Sequence, residues 1–161
     1  MNTGALGHGL ALGVGMAIAA KMDHKDYRTY VMMGDGEQAE GSIWEAAMAA
    51  SHYHLDNLVA ILDRNGLQIS GTTEDVMSLK DIKAKWSSFG FEVMEINGND
   101  YDEILEAFKK AKTIKGKPTM ILAHTIKGKG VSFMENEVAW HHGVLNEEQY
   151  HQAMNELGGT I

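Results

Sequence analysis

The chain has no cysteine, which removes disulfides, zinc–thiolate sites, iron–sulfur clusters and a thiol nucleophile together. Its chemistry must therefore come from oxygen and nitrogen groups, and a reducing, cytoplasmic location is expected. Positive charge is in deficit: 14 Lys and Arg stand against 22 Asp and Glu, a formal net charge of -8. That balance argues against a nucleic-acid binder or an anionic-membrane binder, since both need a concentrated basic surface. Long apolar runs are also missing. The longest near the start, residues 10–20, is too short for a bilayer and is broken by Gly13 and Gly15, and no basic leader precedes it. Neither export nor a membrane anchor is expected. A single proline, Pro118, and the lack of any repeat or low-complexity stretch leave no linker at which to divide the chain. What remains is 161 residues, 44% of them apolar, enough for one compact domain that buries roughly two-thirds of its unfolded surface.

The pattern of elements is legible along most of the length. Small and apolar residues crowd every face of 10–22, which predicts a closely packed helix. Residues 29–33 form a short β-favouring run that stops at Gly34-Asp35-Gly36, so a buried strand feeds a tight turn, and a helix over 42–53 follows. A second strand over 58–62 ends in Asp63-Arg64-Asn65-Gly66. Residues 68–76, rich in Ser, Thr and Gly, read as an ordered surface loop, and 79–89 as a short helix. A strand over 91–96, a turn at 97–100 and an amphipathic helix over 101–112 come next, with Ile104, Leu105 and Phe108 on its apolar stripe. Pro118 leads into a strand over 119–123, and 146–157 is a terminal helix. Strands alternating with helices predict an α/β fold: a parallel sheet with helices on both faces. The start is unusual. A glycine-rich segment, 3–9, has no strand before it, as though the chain began inside a fold.

Open parallel sheets bind ligands at the carboxyl ends of their strands, and two loops qualify here. Asp35 follows one strand and Asn65 the next, 30 residues later, so one right-handed crossover sets both on the same rim. A carboxylate and an amide oxygen are hard donors that suit Mg²⁺ or Ca²⁺ better than zinc or copper. Mg²⁺ commonly completes its six positions with substrate phosphates and water, which makes a diphosphate the natural partner. Gly34 and Gly36 leave room for it, and the following helix N-terminus adds partial positive charge. Gly7-His8-Gly9 misses the dinucleotide-binding glycine spacing and follows no strand, and there is no P-loop.

Gly34-Asp35-Gly36 with Asn65 thirty residues on resembles the thiamine-diphosphate motif, although Arg64-Asn65 stands where Asn-Asn is common. The stretch 34–46, the tetrapeptide Leu55-Asp56-Asn57-Leu58, the segment 3–9, Lys127-Gly128-Lys129-Gly130 and Trp140-His141-His142-Gly143 together resemble the transketolases over nearly the whole chain. The resemblance implies a diphosphate-binding domain over 1–161, shortened at its N-terminal side. It implies thiamine diphosphate with Mg²⁺, or Ca²⁺ or Mn²⁺ in its place, held by the side chains of Asp35 and Asn65 and the backbone carbonyl of Leu67. Gly34 and Gly36 would lie against the diphosphate, Gly4 and Leu6 against the pyrimidine, and Ile69 near the cofactor. His142 would approach the diphosphate and the substrate, and Glu40 would join the carboxylate network between the two active sites of a dimer.

The implied reaction moves a two-carbon ketol unit from a ketose phosphate to an aldose phosphate. The glutamate that protonates the aminopyrimidine belongs, in that family, to a separate pyrimidine-binding domain. The implied assembly is therefore a split enzyme, a homodimer or heterotetramer with a C-terminal pyrimidine-binding subunit. Alternatives are a deoxyxylulose-phosphate synthase-like enzyme, a component of a 2-oxo-acid dehydrogenase, or a non-catalytic fragment. The family's early histidine segments are absent, and His8 replaces a usual Gln. His24, His52, His54, His141 and His151 read as structural or surface residues, with His124 the exception to watch at a strand end. The 11 methionines read as core filler, and Lys127 and Lys129 as a solvated loop that could attract a sugar phosphate.

Overall fold

The computed structural model describes residue 4 and residues 6–159; Thr3 and Ala5 of the glycine-rich segment lie outside the described residues. The elements run α1 (Gly9–Met22), β1 (Thr29–Gly34), a 3-10 turn (Gly36–Ala39), α2 (Gly41–His52) and β2 (Leu58–Arg64). A small hairpin, β3 (Leu67–Gln68) and β4 (Gly71–Thr72), leads into α3 (Thr73–Met77) and α4 (Ile82–Ser88). Then come β5 (Glu92–Asn97), α5 (Tyr101–Ala111), β6 (Thr119–His124), a second 3-10 turn (Val138–His141) and α6 (Glu147–Glu156).

The main sheet is parallel throughout, in the order β1-β2-β6-β5. All-parallel sheets need cover on both faces, and the helices supply it unequally. One face carries the larger core: Leu10 and Val14 of α1, Ile43 and Ala47 of α2 and Trp86 of α4 pack over Val31, Met33, Leu62 and Leu122. Gly13 lets α1 approach closely, because a Cβ there would lie 2.4 Å from the Val31 side chain. The opposite face is covered by α5 through Ala107 and Ala111, which pack with Val59, Met94 and Ile121. This corrects the expected stripe: Ile104 and Phe108 are half-buried, but Leu105 is exposed, since 104, 107, 108 and 111 share the inward arc. At the edge strand β1, Tyr30 and Met32 remain exposed on the α5 side.

The segment 68–76, expected as an ordered loop, holds regular secondary structure. Its Ser, Thr and Gly content serves a hairpin and a helix start, with the Thr72 hydroxyl accepting the Asp75 amide at 3.1 Å. Asp81 caps α4 by accepting the Ala84 amide at 2.8 Å, and Asn146 with Gln149 forms a capping box on α6. The methionines divide: Met33, Met94 and Met120 are buried, whereas Met16, Met22, Met32, Met48 and Met77 are exposed, so core filling accounts for only part of them. No helix among the described residues is long and apolar enough to cross a membrane.

Candidate functional site

Register brings the two candidate loops together. Gly34 at the end of β1 lies beside Asp63 of β2, and Arg64 lies beside His124 of β6, which itself faces Asn97 of β5. The four strands therefore end on one rim, as the crossover argument requires. Above the rim a cavity of about 430 Å³ is lined by Leu6, Gly34, Asp35, Gly36, Asn65 and Leu67 among others. Ile69 also borders it, with 59% of its surface exposed. These residues are sequence-predicted, and the fold gathers them around one space.

Asp35 is almost fully buried, at 2% exposure, and its carboxylate is well held. One oxygen, Oδ1, accepts the Gly36 amide at 2.8 Å; Oδ2 accepts the Gly66 amide at 2.6 Å and the Arg64 guanidinium at 3.1 Å. Arg64 also donates to Thr73 Oγ1 at 2.7 Å and to Glu74 at 3.3 Å, tying α3 to the Asp35 carboxylate. Gly66 adopts φ +77°, the left-handed conformation that aims its amide back at Asp35. The Asn65 side-chain oxygen accepts the Leu67 amide at 3.0 Å, forming a tight side-chain turn at the end of β2.

Two more residues brace this turn from behind. Gln38, 2% exposed, donates its amide to the Gly34 carbonyl at 3.2 Å and accepts the Trp86 indole N–H at 3.2 Å, while the Trp44 indole donates to the Gln38 carbonyl at 3.0 Å. Glu37, 8% exposed, accepts the amide of Gly34 at 3.2 Å and that of Gly7 at 2.8 Å. Neither residue was singled out from sequence, and nothing in the local pattern distinguishes them from polar turn residues. Gly36 packs closely on the hairpin: a Cβ there would sit 3.0 Å from Gln68 Cβ, so the Gln68 side chain would have to give way. The turn continues as a 3-10 turn, and α2 then begins at Gly41, close to the expected start at 42.

A glycine-rich loop forms the opposite side. Lys127 and His141 line the cavity; the sequence left Lys127 as a solvated loop residue that could attract a sugar phosphate and read His141 as structural or surface. Burial, then the charges of Lys127 and His142, lower the His141 basicity, which keeps the imidazole mainly neutral at pH 7. His142 is exposed beside it, the two rings edge-on with centroids 4.7 Å apart, so the cavity-lining histidine is His141 rather than the expected His142. Gln68 and Ser70 border the cavity too; Ser, Thr and Gly content had marked their segment only as a loop. Glu40 is exposed outside the cavity, at the start of α2 and close to Gly7, and Gly4 is exposed without lining it. His124, the exception to watch among the histidines, meets Glu95 at 3.4 Å on the far part of the rim.

Among the described residues no three His, Asp or Glu side chains converge, so a metal on this rim would need mixed donors. A buried carboxylate, an amide oxygen at a strand end and a neighbouring backbone carbonyl form such a hard-oxygen set. A Cβ added at Gly34 would meet no heavy atom within 4 Å, which leaves room for a ligand against the backbone. By donor type these residues suit a divalent cation beneath a diphosphate, with the Arg64 guanidinium standing as the cation against Asp35 in this structure.

Comparison with known proteins agrees with this geometry. Residues 1–160 match the family model described as "Transketolase, thiamine diphosphate binding domain". The chain is 58% identical over its whole length to one subunit of the apulose-4-phosphate transketolase of Phocaeicola vulgatus, covering 57% of that protein. It is 48% identical over 98% of its length to the 6-deoxy-6-sulfo-D-fructose transketolase subunit SqwG of Clostridium sp., again covering 57%. The chain thus spans a little over half the length of these relatives. The crystal structure of transketolase from Campylobacter jejuni superposes with a TM-score of 0.91 at 36% identity, over 98% of this chain and 26% of that one. With the parallel rim, the buried aspartate and these matches in agreement, the chain belongs to the transketolase thiamine diphosphate-binding domain family.

Proposed function

We propose that the chain is the diphosphate-binding part of a split transketolase that moves a two-carbon ketol unit from a ketose phosphate to an aldose phosphate. The observation that carries this reading is the convergence of Asp35, Asn65 and Leu67 on one cavity with Gly34 open beside them. Asp35 and Asn65 side chains and the Leu67 carbonyl would hold Mg²⁺, with Ca²⁺ or Mn²⁺ as substitutes; Gly34 and Gly36 would lie along the diphosphate. Leu6 and Ile69 offer exposed apolar surface to the rings, and Gly4, outside the cavity lining here, would approach the pyrimidine. Once bound, thiamine diphosphate supplies an electron sink for breaking and forming a carbon–carbon bond next to a carbonyl.

The chain's own groups bind and orient. Lys127 brings positive charge to a cavity otherwise floored by carboxylates, and His141, mainly neutral, can exchange a proton with substrate oxygens, with His142 adjacent. Glu40, exposed beyond the cavity, would join a carboxylate network with another protomer. The reading includes a C-terminal pyrimidine-binding subunit, an assembly that is a homodimer or heterotetramer, and a cytoplasmic location, supported by the lack of cysteine. The two relatives are named for different sugars yet both as transketolase subunits, which favours ketol transfer over the synthase or dehydrogenase alternatives.

The test is calorimetric titration of thiamine diphosphate with Mg²⁺ into the chain and into its complex with the partner subunit, for the wild type and Asp35→Ala. Loss of a partner of a metal ligand already costs about 10–100-fold, so removing the ligand itself should weaken binding by at least about 100-fold. Unchanged affinity in Asp35→Ala would overturn the assignment.

A further inference from the structure

Glu37 is the one buried carboxylate at the site that belongs to no metal-ligand set. It has no Lys, Arg or His within ion-pair distance among the described residues, and its two oxygens serve two different loops. Oε1 accepts the Gly7 amide across 30 residues of chain at 2.8 Å, and Oε2 accepts the Gly34 amide at 3.2 Å. The Gly7 peptide is also held from its other side, where Ser42 Oγ donates to its carbonyl at 2.8 Å. Gly7 itself adopts φ +82°, and an added Cβ would fall 2.6 Å from Ser42 Oγ and 2.9 Å from Glu40 Cβ, so the loop has a single seat. Glu37 and Leu6 both border the cavity above Asp35 and a second one of about 420 Å³ between α1 and β1, so the two loops they sit on meet between the cavities.

We infer that Glu37 is a positioning residue that locks the loop bearing Leu6 to the turn bearing Asp35, setting the distance between the two ends of a bound cofactor. This rests on the thiamine diphosphate reading. A ligand that bridges two subsites gains affinity when they are held in advance at the right separation, because the ordering cost is removed from binding. The two loops do not depend on Glu37 equally. Asp35, Arg64, Gly66 and Gln38 brace the metal turn independently, whereas the Gly7 amide has Glu37 as its acceptor. Loss of the carboxylate should therefore release the Leu6 side and spare the diphosphate side.

Glu37→Gln offers one carbonyl oxygen and turns an N–H₂ toward a second N–H, so it cannot accept both amides. Glu37→Asp keeps the charge but is one methylene too short to span both. In calorimetric titrations, each variant should bind thiamine diphosphate with Mg²⁺ about tenfold more weakly, while Mg²⁺ with inorganic diphosphate stays within about twofold of wild type. Equal loss for both ligands, or loss for neither, overturns the inference. Amide hydrogen exchange in the free chain gives a ligand-independent readout. The Gly7 amide should lose protection in Glu37→Gln while Gly36 and Gly66, held by Asp35, keep theirs; retained protection at Gly7 overturns the inference as well. If the wild type, alone and with its partner subunit, takes up inorganic diphosphate but not thiamine diphosphate, the cofactor reading fails, and the exchange result alone decides the clamp.

Discussion

Two walls face each other across the cavity, and they are built on different principles. The floor, residues 34–38 and 63–69, is held by buried polar groups: Asp35, Glu37 and Gln38 are each under 9% exposed, and their partners are mostly backbone amides and indoles. The far wall, residues 125–144, is held by exposed groups: Glu135 accepts the Gly130 amide at 3.0 Å and meets Lys129 at 3.3 Å, and Glu156 of α6 accepts both the Ser132 amide and hydroxyl. Buried hydrogen bonds are costly to leave unmade, so the floor has one arrangement. Exposed ion pairs are screened and cheap to open, so the wall can yield. A rigid floor suits a cofactor that stays; a yielding wall suits a substrate that enters and leaves.

The sharpest way to break this contrast is to remove the floor's buttress. Trp86 is fully buried between Trp44 and Phe91 and donates to Gln38. Trp86→Ala should destabilise the fold by about 3–5 kcal/mol, the usual range for emptying a core aromatic site. Trp86→Phe, which keeps most of the volume but orphans the Gln38 oxygen, should cost about 1–3 kcal/mol. Denaturant midpoints measure both. A Phe variant as stable as wild type would mean that the bond to Gln38 carries no weight, and the floor would then rest on packing alone.

Gly36→Ala tests the floor more gently. Its methyl group would press on Gln68 at 3.0 Å and push away the hairpin that carries Leu67, while leaving the sheet intact. Stability should fall by no more than about 1 kcal/mol and affinity for thiamine diphosphate with Mg²⁺ by about tenfold, a separation that calorimetry beside thermal melting would show. Parallel loss of both would indicate that the floor and the sheet are a single unit.

How the sequence spoke about these two walls follows from their physics. Asp35 and Asn65 were legible because strand ends, glycines and a 30-residue crossover are local patterns whose outcome is dictated by sheet topology. Gln38 and Glu37 were not, because their roles exist only through Trp86 and Gly7, partners 48 and 30 residues away. Leu105 misled for a similar reason: it neighbours Ile104 on the apolar stripe, but only the packing shows that the inward arc of α5 is centred on the smaller Ala107 and Ala111, which take the contact with the sheet. On the far wall, two adjacent histidines offer no periodicity by which to choose between them, and only the fold turns His141 rather than His142 toward the cavity.

The smallest expected effect separates the walls by pH. The backbone amide of Ser132, then Gln152 and the Ser132 hydroxyl, hold the Glu156 carboxyl below its usual value of 4.5; the Gly130 amide and Lys129 do the same for Glu135. A carboxyl whose folded pKa is depressed contributes stability that is fully present above its unfolded value and is lost as pH falls through the folded one. The wall should therefore loosen below about pH 4.5, while strand β2 beneath the floor stays closed. Protection factors for the Ser132 amide, corrected for intrinsic exchange, should fall several-fold between about pH 6 and pH 3.5 in the wild type. In Glu156→Gln they should start lower and change little. If Ser132 protection in the wild type is flat across that range, the exposed carboxylates do not hold the wall, and its difference from the floor must lie in backbone packing around Gly128 and Gly130.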